Sequence, residues 1–251
     1  KKPASLRAFY IQACCVGNAR HSPMLTADPA PSDSAHFTCS GPNSTMAVEP
    51  SLKRPSSAPF SKWIGARLPS PALAGEAPLL LLPGRGTRLK GHGDALALLA
   101  DMKAAGCETR LWLPGAREAG REAYIAELEA EAARLGIADR VAFTPPTDAI
   151  ARAYAASALV LQLSRKPEAF GRTVVEALAV GRPVLGWAHG GVGELLRTLQ
   201  PEGAVPPFER DALQATALRL LTHPPSPPVT MPHTLLAMQE ATLAVYAELV
   251  H

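Results

Sequence analysis

Short apolar runs alternate with longer helix-like stretches from residue 77 onward, and this alternation constrains the fold most strongly. Short runs of mostly apolar residues suit strands that are buried on both faces. Strands are predicted over residues 78–82, 109–113, 141–143, 159–163 and 184–186, with 204–205 as a candidate edge strand. Helices are predicted over residues 93–105, 122–135, 148–156, 171–181 and 211–221, and residues 195–199 are predicted to finish a short helix. The pattern predicts an α/β fold, a Rossmann-like parallel sheet with flanking helices, in which ligands bind at the carboxyl ends of the strands.

The residues on either side of this region have a different character. Residues 1–73 are rich in proline, serine, alanine and threonine, so they cannot bury enough surface to offset the entropy of ordering. We expect this irregular, low-complexity segment to be mostly disordered or extended. Residues 223–228 break the pattern, and a last helix is predicted over 234–250, packed against another part of the protein. The sequence thus divides into residues 1–73, a domain over 74–222, and a linker with a C-terminal helix over 223–251.

Composition excludes several classes of function. The chain has 251 residues and a formal net charge of +3, which is too mild to indicate a nucleic-acid-binding protein. Its 47% hydrophobic content supports a sizeable core, and no apolar run approaches the roughly 20 residues that span a bilayer. The 4 cysteines have the spacing of neither a metal site nor a disulfide framework, so a reduced cytosolic compartment is the default. The chain starts without methionine, and we interpret its start as a truncation.

One stretch, residues 168–194, combines the features of an anion-binding site. Glu168 lies in a loop after the fourth strand, and Glu176 lies inside the helix that begins at Gly171. The backbone amides of Gly171, Arg172 and Thr173 are first-turn donors with no acceptor in the helix. With the helix dipole behind them, they suit a phosphate oxygen. An anion could therefore sit between the two carboxylates, although two glutamates at this spacing are as often a solvated pair.

Two further loops could belong to the same site. Arg85 and Lys90 place two cations in the loop after the first strand, where they could neutralise a diphosphate. The alternative for this loop is an ordinary solvated turn with basic residues. After the fifth strand, Gly190 and Gly191 would let a ligand approach the backbone with no side chain in the way.

The stretch E-A-F-G-R-T-V-V-E resembles the E-x7-E signature of retaining glycosyltransferases of family four, also called group 1, which have the GT-B fold. The following G-G-V-G-E and the earlier G-R-G-T-R-L-K-G resemble further elements of that family. The resemblance covers residues 63–250 and implies the C-terminal, donor-binding half of the GT-B fold. It is closest to bacterial transferases of lipopolysaccharide and other surface glycans, in which P-G-R-x-T-R-L-K-G-H and S-x-K-P-E-x-F-G-R-T-V-x-E-A-L occur together.

The resemblance implies a role for each matching residue. In the family the first glutamate contacts the sugar of a nucleotide-sugar donor and the second binds the ribose, which are the positions of Glu168 and Glu176. The family's Arg and Lys bind the donor phosphates, as Arg85 and Lys90 would, and the base lies near Phe143. Glu168, Arg85 and Lys90 are the implied catalytic residues. The donor-binding residues that we expect are Gly84, Arg85, Lys90, Phe143, Glu168, Ala169, Phe170, Gly171, Arg172, Thr173, Glu176, His189, Gly190 and Gly191.

The implied reaction is transfer of a hexose-like sugar from a nucleoside diphosphate sugar to a glycan or glycolipid acceptor, with retention of anomeric configuration. Cations and amides would stabilise the departing diphosphate, and no Asp-x-Asp motif is present, so neither a metal nor a cofactor is expected. The expected location is the cytoplasm, with peripheral association at the inner face of the membrane and no nucleic-acid partner. His189 could touch the sugar, but a loop histidine beside glycines is as often merely tolerated.

A GT-B enzyme also needs an acceptor-binding half, which cannot be located in residues 1–73, so we expect this chain to be a fragment.

Other classes of protein share this architecture or its nucleotide-sugar site. A non-catalytic nucleotide-sugar binding domain would bind nucleotide without turnover. An epimerase of the same fold would release free nucleotide without any acceptor. A phosphorylase would need a lysine for pyridoxal phosphate, and the sequence offers no persuasive candidate.

Overall fold

Six parallel strands form one sheet in the computed structural model, which describes residues 70–249. The strands are β1 (Leu79–Leu81), β2 (Arg110–Pro114), β3 (Val141–Thr144), β4 (Leu159–Gln162), β5 (Val184–Trp187) and β6 (Ala204–Val205). Their order across the sheet is β3-β2-β1-β4-β5-β6, and every neighbouring pair is parallel. The α/β fold and all six strands predicted from the sequence are therefore confirmed.

Seven α-helices accompany the sheet in the described residues. They are α1 (His92–Ala104), α2 (Glu122–Arg134), α3 (Ile150–Ala156), α4 (Arg172–Ala179), α5 (Gly190–Leu199), α6 (Arg210–Thr222) and α7 (Leu235–Leu249). The short helix predicted to finish at residues 195–199 is α5, which begins at Gly190. The last helix is present as predicted, and its packing against another part of the protein stays a prediction.

The strand order reverses direction between β1 and β4. The chain runs from β1 outward through β2 and β3, then returns to the middle and runs outward on the other side through β4, β5 and β6. In open parallel sheets ligands bind at such a reversal of strand order, outside the carboxyl ends of the strands. The loops that follow β1 and β4 therefore border the expected binding crevice.

Apolar side chains fill both faces of the sheet, because successive strand residues point to opposite sides. In β1, Leu80 packs in a cluster with α1, α2 and α6, whereas Leu79 and Leu81 pack in a second cluster with α3, α4 and α5. Leu73 is also fully buried in the second cluster. The end of the segment predicted as irregular, residues 70–73, thus forms part of the folded domain, because Leu73 fills space beneath the sheet.

One polar side chain substitutes for a strand partner at the edge of β5. The Gln200 side chain is buried, its Oε1 accepts from the Val184 amide at 2.8 Å, and its Nε2 donates to the Val184 carbonyl at 3.0 Å. β6 pairs with β5 only at Gly186 and Trp187. Gln200 therefore satisfies the backbone of β5 before β6 begins.

The described residues belong to two compact units, which divide between Met231 and Pro232. The sheet and α1 to α6 lie in the first unit, and α7 lies in the second. The predictions for residues 1–69 fall outside the described residues, and the domain limits predicted at 74–222 stay a prediction. None of the helices between residues 70 and 249 has the length and apolar character needed to cross a membrane.

Candidate active site

The loop after β1 and the loop after β4 pack directly against each other. The backbone amide of Arg165 donates to the Leu89 carbonyl at 2.8 Å. Gly91 has a φ of +76°, and a Cβ placed on it would lie 2.0 Å from the Leu163 carbonyl oxygen. Glycine is needed there because it tolerates both the left-handed backbone and the close approach. The two predicted halves of the site therefore share one edge of the sheet.

Lys90 and Glu168 form an ion pair across these two loops. The Lys90 Nζ lies 2.5 Å from the Glu168 Oε1, and their side chains are 32% and 24% exposed. The Ser164 hydroxyl donates to the same oxygen at 2.6 Å, and the Gln162 amide nitrogen donates to Oε2 at 3.1 Å. The Glu168 carboxylate is thus held by three donors, one from the loop after β1, one from the end of β4 and one from the loop after β4.

Gln162 and Ser164 were not among the predicted site residues. Both side chains are buried, and Ser164 Oγ also lies 3.2 Å from Gln162 Oε1. A sequence signal was present, because Gln162 is a polar residue in an otherwise apolar strand, where a buried amide needs a partner. The partner is Glu168, which sequence spacing alone does not reveal.

Glu176 lies on α4 and is held by two neighbours. The Tyr154 hydroxyl on α3 donates to its Oε2 at 2.8 Å, and the Arg172 Nε lies 2.9 Å from its Oε1. Burial raises the pKa of Tyr154 well above its ordinary value, and the negative charge of Glu176 adds to the shift. Tyr154 therefore remains a neutral donor and fixes the Glu176 carboxylate.

The start of α4 offers backbone donors beside Glu168. Gly171 is the N-cap residue, with a φ of +96°, and no side chain caps the helix. Within the described residues, the Val174 amide is the first amide of this helix with a carbonyl acceptor, that of Gly171 at 3.0 Å. The amides before it and the positive end of the helix dipole suit an anion. That these amides hold a phosphate stays a prediction.

Arg85 and Gly84 lie in the loop after β1. The Arg85 side chain is exposed, and no residue between 70 and 249 pairs with its guanidinium. A Cβ placed on Gly84 would lie 3.5 Å from the Lys90 Cδ, so the Lys90 stem runs beside Gly84. Of the two cations predicted to bind the diphosphate, Lys90 is thus bound to Glu168 and Arg85 faces solvent.

The other predicted donor-binding residues lie on both sides of this centre. Phe143 is at the end of β3, two strands from β1, and its carbonyl accepts from the Arg117 Nε at 3.0 Å. Ala169 and Phe170 lie in the turn between Glu168 and α4, the first exposed and the second half-buried. The structure therefore gathers Lys90, Glu168 and the α4 start, while Phe143 lies apart from them.

The double glycine is required by close packing within the chain, and its approach to a ligand stays a prediction. A Cβ on Gly190 would lie 2.7 Å from the Glu168 carbonyl oxygen, and one on Gly191 would lie 2.4 Å from that of Phe170. The Gly191 amide also donates to the Glu168 carbonyl at 2.8 Å. The space on the Cβ side of these glycines is filled by the chain itself. They allow the start of α5 to pack onto the loop that carries Glu168.

His189 precedes this pair and is half-buried. Its Nε2 lies 2.8 Å from the Ser164 carbonyl oxygen. Because a carbonyl only accepts, this ring nitrogen must carry the hydrogen. His189 therefore has a contact within the loop after β4, and its contact with a sugar stays a prediction.

A buried histidine supports the loop that carries Lys90. The His92 side chain is fully buried, its Nδ1 lies 3.3 Å from the Thr87 carbonyl, and its Nε2 has no hydrogen-bond partner in the described part of the chain. Burial lowers the pKa of His92 below its ordinary value of 6.5; the bond to Thr87 opposes that shift and the charge of Lys90 adds to it. His92 therefore favours the neutral form.

This burial predicts a loss of stability in mild acid. Because the pKa of His92 is lower in the folded than in the unfolded state, its contribution is complete above about pH 6.5 and falls as the pH drops toward the folded pKa. Urea unfolding of wild type and His92→Gln is measured between pH 5 and 8. The free energy of unfolding should fall less steeply toward acid pH in the variant than in wild type. The exposed His223→Gln variant is the control and should keep the wild-type slope. Equal slopes for wild type and His92→Gln would contradict the expectation.

Comparison with known proteins agrees with this geometry. A family model described as glycosyl transferases group 1 matches residues 68–230, which include every strand and the whole site. The chain belongs to this family. A D-inositol 3-phosphate glycosyltransferase from Xylanimonas cellulosilytica is 36% identical over 119 residues, which are 47% of this chain and 27% of that protein. The chain thus spans about a quarter of the length of the curated relatives that it matches.

Solved structures confirm the fold of this chain. Anabaena HepE, crystallised with UDP and glucose, superposes with a TM-score of 0.58 at 24% identity, covering 69% of this chain and 48% of HepE. WaaG, a glycosyltransferase involved in lipopolysaccharide biosynthesis, has a TM-score of 0.52 at 22% identity, covering 79% of this chain and 49% of WaaG. The parallel sheet described above is the Rossmann-like C-terminal half of a GT-B fold, as predicted.

Proposed function

We propose that this chain supplies the donor-binding half of an enzyme that transfers a sugar from a nucleoside diphosphate sugar to a glycan or glycolipid acceptor. The observation that carries the proposal is the Lys90–Glu168 ion pair beside the uncapped start of α4. A cation and free amides suit a diphosphate, and an adjacent carboxylate suits sugar hydroxyls. Family membership and the position at the β1–β4 reversal of strand order support the same assignment.

In this proposal the site works by fixed electrostatics. Arg85, Lys90 and the amides at the start of α4 bind the diphosphate and stabilise the charge that develops on it as the sugar departs. Glu168 holds the sugar, and the configuration at the anomeric carbon is retained. Because these donors are preorganised, the reaction requires no metal ion, and activity should survive a chelator. Glu176 holds the ribose, with its carboxylate already oriented by Tyr154.

The proposed setting is the synthesis of lipopolysaccharide or another surface glycan in the bacterial cytoplasm, at the inner face of the membrane. Its support is the joint presence of the P-G-R-G-T-R-L-K-G-H and S-R-K-P-E-A-F-G-R-T-V-V-E-A-L stretches. The D-inositol 3-phosphate glycosyltransferases provide a competing acceptor class. Assays with inositol phosphate and with lipopolysaccharide core acceptors, both using the same sugar nucleotide, separate the two.

Removing either cation should weaken nucleotide binding. Arg85→Ala and Lys90→Ala are each expected to lose a charge-assisted contact worth roughly 1.5–3 kcal/mol, or about 10- to 150-fold in affinity. Titration calorimetry with UDP, GDP and ADP measures the effect. Arg88→Ala is the matched control, since it removes a cation from the same loop but one that pairs with Glu127 at 2.5 Å on α2. The control should bind within about twofold of wild type.

Unchanged affinity in both Arg85→Ala and Lys90→Ala would overturn the phosphate assignment.

Measurement of turnover distinguishes a glycosyltransferase from an epimerase and from a binding domain. A glycosyltransferase releases nucleoside diphosphate faster when an acceptor is present, whereas an epimerase releases it without one. Saturable nucleotide binding with no release under either condition would indicate a binding domain without catalysis.

A further inference from the structure

Phe208 has a backbone conformation that its residue type disfavours. Its φ is +69°, and among residues 70–249 it is the only non-glycine residue with a positive φ. Its side chain is nevertheless 48% exposed, so burial of the ring does not account for the strain. A residue other than glycine adopts a positive φ only where the surrounding structure holds it there, and such residues cluster at functional sites. The residues that the ring contacts therefore indicate which part of the structure depends on this strained conformation.

The ring of Phe208 contacts the end of β5 and the loops that follow β4 and β5, at the carboxyl edge of the sheet. It lies in the loop between β6 and α6, with its centroid 5.7 Å from that of Trp187 and 5.9 Å from that of His189. The Arg165 guanidinium lies over its face at 4.8 Å. Arg165 also binds both carboxylate oxygens of Asp94, at 2.6 and 2.8 Å. Phe208 thus packs against the loops that follow β4 and β5.

Two of these contacts lead to Glu168. His189, which packs edge-on against Phe208, binds the Ser164 carbonyl, and the Ser164 hydroxyl donates to Glu168 at 2.6 Å. Arg165 follows Ser164 directly in the chain and is clamped between the ring of Phe208 and the carboxylate of Asp94. The Ser164 carbonyl is therefore held by a residue that touches Phe208, and the Arg165 side chain is held by Phe208 itself and by Asp94.

We infer that Phe208 is a positioning residue, which sets the Glu168 carboxylate toward the sugar of the donor through His189, Ser164 and Arg165. This inference rests on the proposed function, because Glu168 is there the residue that meets the sugar. Phe208 reaches no atom of the Lys90 loop directly in the contacts of its ring. The Lys90 loop is reached only indirectly, through the Arg165 amide on the Leu89 carbonyl and through the Lys90–Glu168 ion pair. The effect of Phe208 should therefore be larger on recognition of the sugar than on recognition of the diphosphate.

Three substitutions of Phe208 distinguish a role in positioning Glu168 from a role in stabilising the fold. Phe208→Gly removes the ring and suits the positive φ, Phe208→Ala removes the ring but keeps the strain, and Phe208→Tyr keeps the ring. Phe208→Gly should therefore melt at a higher temperature than Phe208→Ala. Affinities are measured by titration calorimetry for UDP, GDP and ADP, and for UDP-glucose, GDP-mannose and ADP-glucose. Comparing the affinity for each nucleoside diphosphate with the affinity for its sugar nucleotide isolates the contribution of the sugar to binding.

Both ring-deleted variants are expected to bind the sugar nucleotide that wild type prefers about five- to tenfold more weakly, a loss equivalent to the ring contacts removed. Their affinity for the matching nucleoside diphosphate should stay within about twofold of wild type, and Phe208→Tyr should bind both as wild type does. Equal weakening of both ligands, or no change in either, would overturn the inference. If wild type binds none of the sugar nucleotides, the proposed function fails, and the inference fails with it.

Discussion

A Gly91→Ala variant should lose roughly 2–5 kcal/mol of unfolding free energy, the sum of a left-handed backbone penalty and a steric overlap. The added Cβ would lie 2.0 Å from the Leu163 carbonyl oxygen and 2.8 Å from its carbonyl carbon. Neither atom can yield easily, because Leu163 is fully buried and follows directly after β4. The loop after β1 would have to move away from the loop after β4, so the variant should also lose most of its affinity for nucleotides.

Urea unfolding at 25 °C, with nucleotide titration of the folded fraction, measures both effects. Gly93→Ala is the matched control, two residues along the same chain. Gly93 lies exposed in α1, and a Cβ placed on it meets no atom within 4 Å. Alanine should raise stability there by roughly 0.5–1 kcal/mol, since it favours a helix over glycine. Wild-type stability in Gly91→Ala would show that the two loops are not locked together.

A Glu168→Gln variant should transfer sugar at least about a hundredfold more slowly, while it binds UDP as tightly as wild type or more tightly. The amide keeps the shape of the carboxylate, but it loses the charge that pairs with Lys90 at 2.5 Å. A sugar hydroxyl would then meet a weaker acceptor. The diphosphate would meet less repulsion and a lysine that no longer shares its charge with a carboxylate.

Two measurements on the same protein test this prediction. Titration calorimetry gives the affinity for UDP, and the rate of UDP release from UDP-glucose, with and without glycan acceptors, gives turnover. Glu202→Gln removes the same charge from the exposed turn before β6, at the opposite edge of the sheet, and should change neither quantity. A Glu168→Gln variant that binds UDP as poorly as Lys90→Ala would instead assign Glu168 the role of holding Lys90 in place.

The placement of Arg85, Lys90 and Glu168 at one edge could be predicted because parallel strands share a direction. Once the runs at 78–82 and 159–163 are interpreted as buried parallel strands, the loops after them must lie at the same end. That β1 and β4 are immediate neighbours is a property of the strand order, which local patterns do not encode. The direct Lys90–Glu168 ion pair could not be predicted for the same reason.

The double glycine shows where interpretation of single residues reaches its limit. The glycines Gly190 and Gly191 indicate that other atoms come close to the backbone. A bound ligand and another segment of the chain would both require glycine at these positions, so the sequence does not distinguish them. The neighbour is the turn of residues 168–170, more than twenty positions earlier in the chain. Phe208 is a parallel case, because nothing in the sequence around a phenylalanine predicts a positive φ.

Gln200 has a consequence for how molecules of this protein meet one another. A parallel sheet normally ends in a row of free amides and carbonyls, onto which a second molecule can add a strand. Here the side chain of Gln200 occupies the Val184 backbone, and β6 covers the next part of β5 with two residues. The border that β5 and β6 leave for intermolecular pairing is therefore short, which disfavours the addition of a second molecule at this edge of the sheet.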